Sequence, residues 1–293
     1  MRLAQPIIDL YDRFTHGLID RRAFMDELGR LAGGTAAATA LLTLLRNDYA
    51  RAATVPADDP RLRAERVSWP GPDGPMAGYL VRLREVERRP AVIVIHENRG
   101  LNPHIEDVAR RLALEGFLAL AVDMLARDGG TPTDEDEARE MIGRLDPELN
   151  ARRLASAVPF LAGHPESNGK VGAVGFCWGG GMVNELAVRS PDLAAGVAYY
   201  GRQVAAERVP AIRAALLLHY AERDERINAG IDAYRRALEA AGKRFEIHLY
   251  PGTQHAFNND TNAARYDRAA AELAWSRTIA FLRRELGSGT RPG

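Results

Sequence analysis

Val171-Gly172-Ala173-Val174-Gly175-Phe176-Cys177-Trp178-Gly179-Gly180-Gly181 reads as an apolar strand, a sharp turn carrying one cysteine, and a helix start. Glycines stand two residues to either side of Cys177, the spacing of the G-x-S-x-G elbow with sulfur in place of oxygen. The spacing has a steric origin: so tight a turn strains its central residue, and side chains at Gly175 and Gly179 would collide. The helix expected to begin near Trp178 points its unpaired N–H groups at the sulfur, favouring a thiolate and a developing oxyanion, with the Trp178 N–H as first donor. A lone cysteine is in general a small buried core residue. The strand-turn-helix setting makes this one a candidate nucleophile.

Outward from the elbow, apolar runs alternate with helical patterns. The sequence predicts strands over 76–83, 91–95, 117–122, 170–175, 193–200, 214–219 and 245–250. It predicts helices over 103–115, 133–144, 147–161 and 229–241, one after Cys177, and a long final one from about Ala263. Continuous apolar runs such as Ala91-Val92-Ile93-Val94-Ile95 belong to strands covered on both faces. Strands alternating with helices of ten or more residues imply parallel βαβ units, so the fold class is α/β, a mostly parallel sheet in a three-layer sandwich, and the elbow makes it the α/β-hydrolase fold. Ligands then bind beyond the carboxyl ends of the strands.

Chain order in this fold runs nucleophile, acid, histidine. His219, His248 and His255 lie downstream of Cys177. His219 ends an apolar run and precedes the expected acid, so it reads as structural; His248 sits inside an alternating strand on the same face as Glu246. His255 follows that strand and the turn Pro251-Gly252-Thr253-Gln254, the loop position a base needs. Among Glu222, Asp224 and Glu225, Asp224 is chosen as the acid that fixes the imidazole tautomer, with Glu222 as fallback. Upstream, His96-Glu97-Asn98-Arg99-Gly100 follows the 91–95 strand, where the fold places its second oxyanion donor, read as the Asn98 N–H. Glu97 at the mouth of the site could modulate protonation of Cys177, or be a surface acid paired with an arginine. Arg99 and Arg202, beyond strand ends, could bind a substrate carboxylate or simply be solvated.

The 293 residues are 46% hydrophobic and 27% charged, enough for one large core. Lys plus Arg equal Asp plus Glu at 39 each, which leaves no field to attract nucleic acid or anionic lipid. One cysteine excludes an intrachain disulfide. Two segments are expected, 1–59 and 60–293, joined at Pro56-Ala57-Asp58-Asp59-Pro60. The first reads as a helical extension packed on a cytoplasmic catalytic domain. The alternative is export through Arg21-Arg22-Ala23-Phe24-Met25, an uncharged stretch over 31–45 and the small-x-small site Ala50-Arg51-Ala52. Asp26, Glu27 and Arg30 weigh against the signal, and the stretch is too short for a stable membrane anchor.

Four segments together carry a family resemblance: His96-Glu97-Asn98-Arg99-Gly100-Leu101-Asn102-Pro103-His104, Gly175-Phe176-Cys177-Trp178-Gly179-Gly180, Asp224-Glu225-Arg226-Ile227-Asn228 and His255-Ala256-Phe257. On them the chain resembles the dienelactone hydrolases, or carboxymethylenebutenolidases, over about 70–286; the segment before about Asp59 is absent from the compact members. The resemblance implies a triad of Cys177, Asp224 and His255. It further implies that Glu97 contacts the resting thiol and draws its proton when substrate binds.

The expected activity is hydrolysis of lactones or activated enol esters through a thioester, with no metal or organic cofactor. A small-molecule ester or lactone is the expected partner, and the oligomeric state is left open. The competing reading is a redox-responsive or ligand-binding protein without turnover. A third is a broader hydrolase of activated esters, phosphoesters included.

Overall fold

The computed structural model describes residues 3–85 and 87–287, without the side chains of Ala50 and Arg51. Part of the small-x-small site and the outer ends of the two expected segments therefore lie outside the described residues. Eight strands form one sheet: β1 (Leu62–Gly71), β2 (Gly74–Leu83), β3 (Arg89–Ile95), β4 (Leu118–Asp123), β5 (Ser167–Phe176), β6 (Leu193–Tyr199), β7 (Ala215–Arg223) and β8 (Phe245–Gln254). Their order is β1-β2-β4-β3-β5-β6-β7-β8, with β3 to β8 parallel and β2 antiparallel to both neighbours. This is the expected mostly parallel α/β-hydrolase sheet.

The helices are α1 (Gln5–Thr15), α2 (Arg21–Ala32), α3 (Thr35–Leu45), α4 (Tyr49–Ala52), α5 (Pro103–Leu114), α6 (Glu135–Arg144), α7 (Pro147–Ala155), α8 (Ala157–Ala162), α9 (Trp178–Arg189), α10 (Glu225–Asn228), α11 (Ile231–Ala240) and α12 (Arg268–Leu286). Every residue of β3 is buried. Val92 and Val94 pack in a layer with Ile105 and Leu112 of α5 and Leu282 of α12. Ile93 and Ile95 pack in the opposite layer with Leu154 of α7, Val158 of α8, Leu186 of α9 and Leu238 of α11. Each such leucine is worth roughly 1.5–3 kcal/mol relative to exposure.

Departures from the predicted elements have local causes. The predicted 147–161 helix divides at Ser156, and Pro159 has no N–H to bond the Ala155 carbonyl four residues back. The final helix starts at Arg268 rather than near Ala263, because the Asp267 carboxylate caps it from the Ala270 N–H at 3.1 Å. Strand β1, which the apolar pattern does not reveal, is an edge strand whose Arg63 and Arg66 are exposed. It is fixed by the Gly71–Gly74 turn that pairs it with β2.

The first three helices have a core of their own, formed by Leu10, Tyr11, Phe14, Phe24, Leu28 and Leu45. Phe14 and Phe24 stack at 4.5 Å. The uncharged 31–45 stretch is not one helix. It breaks at Gly33 (φ 80°) and Gly34 (φ 143°), and α2 and α3 stand at 109°. Among the described residues no single helix is long and apolar enough to cross a membrane. This helical group lies over the carboxyl ends of the strands. The Thr15 carbonyl accepts from Asn98 Nδ2 at 2.6 Å, the Tyr11 hydroxyl from Arg99 at 3.0 Å, and the Leu45 carbonyl from Asn262 Nδ2 at 2.7 Å.

Candidate active site

Strand β5 ends at Phe176, and α9 begins at Trp178, so Cys177 alone makes the turn, with φ 54° and ψ −115°. Such a conformation in a residue with a Cβ is sparsely populated and costs of order 1–3 kcal/mol. The flanking glycines make it possible. A Cβ on Gly175 would stand 2.2 Å from the Gly179 carbonyl oxygen, and one on Gly179 would stand 2.4 Å from the carbonyl oxygens of Ile95 and His96. These are backbone obstacles. Cys177 is buried, yet it borders a cleft of about 910 Å³ that it shares with Trp178 and His255. Trp178 opens α9, so its N–H has no carbonyl four residues back within the helix.

His255 lies in the loop after β8, at the strand's carboxyl end. Its Nδ1 meets the Asp224 carboxylate, which follows β7, at 2.5 Å. Both side chains are buried. With Nδ1 committed, Nε2 is the free ring nitrogen. It has no hydrogen-bond partner, and His255 comes within 4.8 Å of the sulfur.

The sulfur's direct partner is a residue that the sequence pattern does not reveal. His16, at the C-cap of α1, places Nε2 3.4 Å from Cys177 Sγ. Its Nδ1 bonds the Asp12 carbonyl at 2.8 Å and lies 3.3 Å from the Asp12 carboxylate. The rings of His16 and His255 meet edge to face at 4.7 Å. Two imidazoles, each backed by an aspartate, therefore face one sulfur. Among the described residues His16, Cys177 and His255 also form the one His/Cys/Asp/Glu group spaced to admit a metal ion.

The electrostatics follow from this packing. Burial alone would push the Cys177 thiol up, but the charges of His255 and then His16 outweigh it and bring it down to about 6. Burial opposes the His255 cation, yet the Asp224 carboxylate and the thiolate hold it well above the ordinary histidine range. His16 is raised in the same way, burial being outweighed by the thiolate and Asp12. The pair state favoured is thiolate with imidazolium.

The remaining predicted residues are placed as follows. Glu97 is buried and borders the same small cavity as Cys177, but its carboxylate accepts from Asn259 Nδ2 at 2.8 Å; the thiol's hydrogen-bonding neighbour is His16. Asn98 lines the cleft. Arg99 is occupied elsewhere: it pairs with Glu135 at 3.0 Å and donates to Tyr11, so its guanidinium holds the extension rather than the cleft. Arg202 is exposed at the cleft, joined there by Arg139 and Arg226, to which the sequence reading gives no substrate role. Tyr200 is a further such residue. It is buried at φ 39°, its ring is 4.9 Å from His255, and its hydroxyl has no partner. His219 is held inside the sheet by Tyr250 at 2.9 Å and Thr278 at 3.1 Å.

A family model described as the dienelactone hydrolase family matches residues 76–286, and a second, described as YqhI-like, matches residues 2–33. The Escherichia coli hydrolase fragment YghX, whose name is provisional, is 48% identical over 113 residues, 38% of this chain and 97% of its own. A Methylorubrum extorquens protein provisionally named a carboxymethylenebutenolidase is 31% identical over 86% of this chain and 93% of its own. Among solved structures, a Klebsiella pneumoniae protein, provisionally a dienelactone hydrolase, superposes with a TM-score of 0.69 at 29% identity, covering 76% of this chain and 99% of its own. The dienelactone hydrolase-like promiscuous phosphotriesterase P91 from metagenomic libraries gives 0.69 at 26% identity, covering 78% and 100%.

Proposed function

The chain belongs to the dienelactone hydrolase family and is a hydrolase of carboxylic ester bonds; from that premise we propose that Cys177 is its nucleophile, acting with His255 and Asp224 on lactones or activated enol esters. The observation that carries the reading is the strained cysteine at φ 54° beside an imidazole tied to Asp224. In the proposed sequence the thiolate attacks the carbonyl, and the C–O bond to the leaving group breaks to give a thioester. Water then attacks the thioester, losing its proton to His255, and the C–S bond breaks. The Trp178 and Asn98 N–H groups are the proposed oxyanion donors. Residues 60–293 are the proposed catalytic domain, with residues 1–59 as a helical extension.

An enol ester suits a thiolate, because its leaving group departs as a stabilised enolate, whereas alkyl esters and amides demand expulsion of a strong base. The apolar walls of the cleft, Leu145, Met182 and Ile227 among them, fit an organic acyl group. Arg202 at its exposed rim is the proposed contact for a carboxylate-bearing substrate. Glu97 stays in the proposal as the buried carboxylate of the site, and Glu97→Gln measures its share.

The test is turnover of p-nitrophenyl acetate by Cys177→Ala, with mass spectrometry of a His255→Asn variant mixed with substrate. Loss of turnover in the first and an acyl adduct on Cys177 in the second are expected. Full activity without the sulfur would discard the mechanism. Peroxide sulfenylation of Cys177 with no ester turnover would favour the redox reading instead. The likeness to P91 makes a phosphotriester worth including in the substrate panel.

A further inference from the structure

Resting on the reading of Cys177 as nucleophile, we propose that the N-terminal extension completes the active site: His16, oriented by Asp12, is a second catalytic imidazole that accepts the thiol proton and returns it to the leaving group. Four observations converge on this role. His16 Nε2 is the atom in hydrogen-bonding contact with Sγ, at 3.4 Å. His255 Nε2 is buried within 4.8 Å of the sulfur but makes no hydrogen bond of ordinary geometry there, which leaves it open to a water. Asp12 backs His16 at Nδ1 through its main-chain carbonyl at 2.8 Å with its carboxylate 3.3 Å away, whereas Asp224 backs His255 through the carboxylate itself. Glu97, the acceptor that the family resemblance implies, is held by Asn259.

The groups that face His16 come from several elements, and across the shared cleft lie Asp20, Arg139, Glu140, Glu185, Arg202 and Arg226. Cys177 comes from the elbow, His255 and Arg265 from the segment after β8, Glu97 and Arg99 from the segment after β3, and Asp12 from its own helix. Arg265 lies 3.7 Å from the Asp12 carboxylate, which therefore stands between two positive or potentially positive groups.

The proton inventory closes with two rings. The thiol proton passes to His16 Nε2. The thiolate forms the C–S bond, the C–O bond to the leaving group breaks, and the leaving oxygen takes the proton from His16. Water then attacks the thioester, its proton passing to His255 Nε2 as the C–S bond breaks, and that proton returns to the sulfur as the acid product leaves. The sum is ester plus water to acid plus alcohol, and passage of that proton from the sulfur to His16 restores the thiolate–imidazolium pair.

Division of labour predicts a leaving-group signature. In His16→Asn, kcat/KM for phenyl acetate should fall about 10²-fold or more, the range general acid–base catalysis spans. For p-nitrophenyl acetate, whose leaving group needs no proton, the fall should stay under about tenfold. The midpoint pH for alkylation of Cys177 by iodoacetamide should rise in the same variant, and Asp12→Asn should move both readouts in the same direction by less. Unchanged leaving-group dependence and midpoint would overturn the assignment. So would an equal loss across the ester series with a lowered Tm, since undocking of α1 would do that. Cys177→Ala separates the two levels. If it retains turnover, the nucleophile is wrong; if it is dead while His16→Asn behaves as wild type, only the role of His16 falls.

Discussion

Adding one methyl group at Gly179 tests the elbow directly. The new Cβ would stand 2.4 Å from the carbonyl oxygens of Ile95 and His96, against an ordinary contact limit of 3.4 Å, so the start of α9 has to retreat from the end of β3 by about 1 Å. Both obstacles are backbone and cannot rotate away. Overpacking of this kind costs roughly 1–3 kcal/mol, and a 1 Å misplacement of reacting groups costs on the order of 10²-fold in rate. Gly179→Ala should therefore lower the urea midpoint and reduce kcat/KM for p-nitrophenyl acetate by about 10²-fold. Gly181→Ala is the stability control, two residues along the same helix. Its nearest neighbour would be 3.5 Å away, and it should gain up to about 1 kcal/mol of helix propensity. Wild-type stability and rate in Gly179→Ala would refute the claim that this elbow is sterically closed.

Asp224→Asn should lower kcat on the same ester by about 10²–10⁴-fold with little change in Tm, because an amide N–H facing Nδ1 selects the tautomer that carries its proton on Nε2; steady-state kinetics and a thermal melt check both halves. Alkylation of Cys177 by iodoacetamide should titrate with a midpoint near pH 6, the thiolate being present above it and falling tenfold per pH unit below it; a midpoint near the ordinary thiol value would contradict the two-imidazole environment. Arg99→Met leaves the Tyr11 hydroxyl unpaired and strips Glu135 of its cation, leaving it Asn47 and Tyr49 as hydrogen-bond partners, and should destabilise by about 1–3 kcal/mol, read as a lower Tm and faster tryptic cleavage within residues 13–22. Intact-mass measurement of the protein from its source should find residues 1–52 retained; cleavage after Ala52 would support the export reading.

The sheet is legible where burial on both faces removes polar residues, as in β3 and β5, and the elbow is legible because glycine is the sterically admissible residue at 175 and 179. Strand β1 escapes because at a sheet edge its solvent-facing positions carry Arg63 and Arg66, and alternation is diluted by charge. The bonded pair of Asp224 and His255 follows from chain order, since each lies just after a strand of the parallel sheet, at the same end. His16 escapes for the opposite reason. Chain order directs attention downstream of the nucleophile, whereas its contact with Cys177 spans 161 positions and depends on how α1 docks. An aspartate four residues before a histidine at a helix end is too common to have flagged it. Arg99 shows the converse error of position: it follows β3 as expected, but a buried guanidinium needs partners, and Tyr11 and Glu135 supply them before any substrate does.

The two readings of the first 59 residues now make opposite chemical demands. A signal removed after Ala52 would carry away Asp12 and His16, leaving the sulfur with His255 as its one imidazole neighbour among the described residues. It would also strip Tyr11 from Arg99 and the Thr15 carbonyl from Asn98, loosening the same segment that supplies the proposed oxyanion donor. The chain just beyond the cleavage point is held independently, since the N–H groups of Thr54 and Val55 donate to the Asp107 carboxylate of α5 at 3.1 and 2.8 Å. Residues 1–59 are thus joined to the rest of the chain at several places, and the bonds nearest the sulfur come from α1 and its C-cap, His16. Under the role proposed for His16, loss of residues 1–52 therefore removes a group in contact with Sγ at 3.4 Å and, with it, turnover of esters with poor leaving groups.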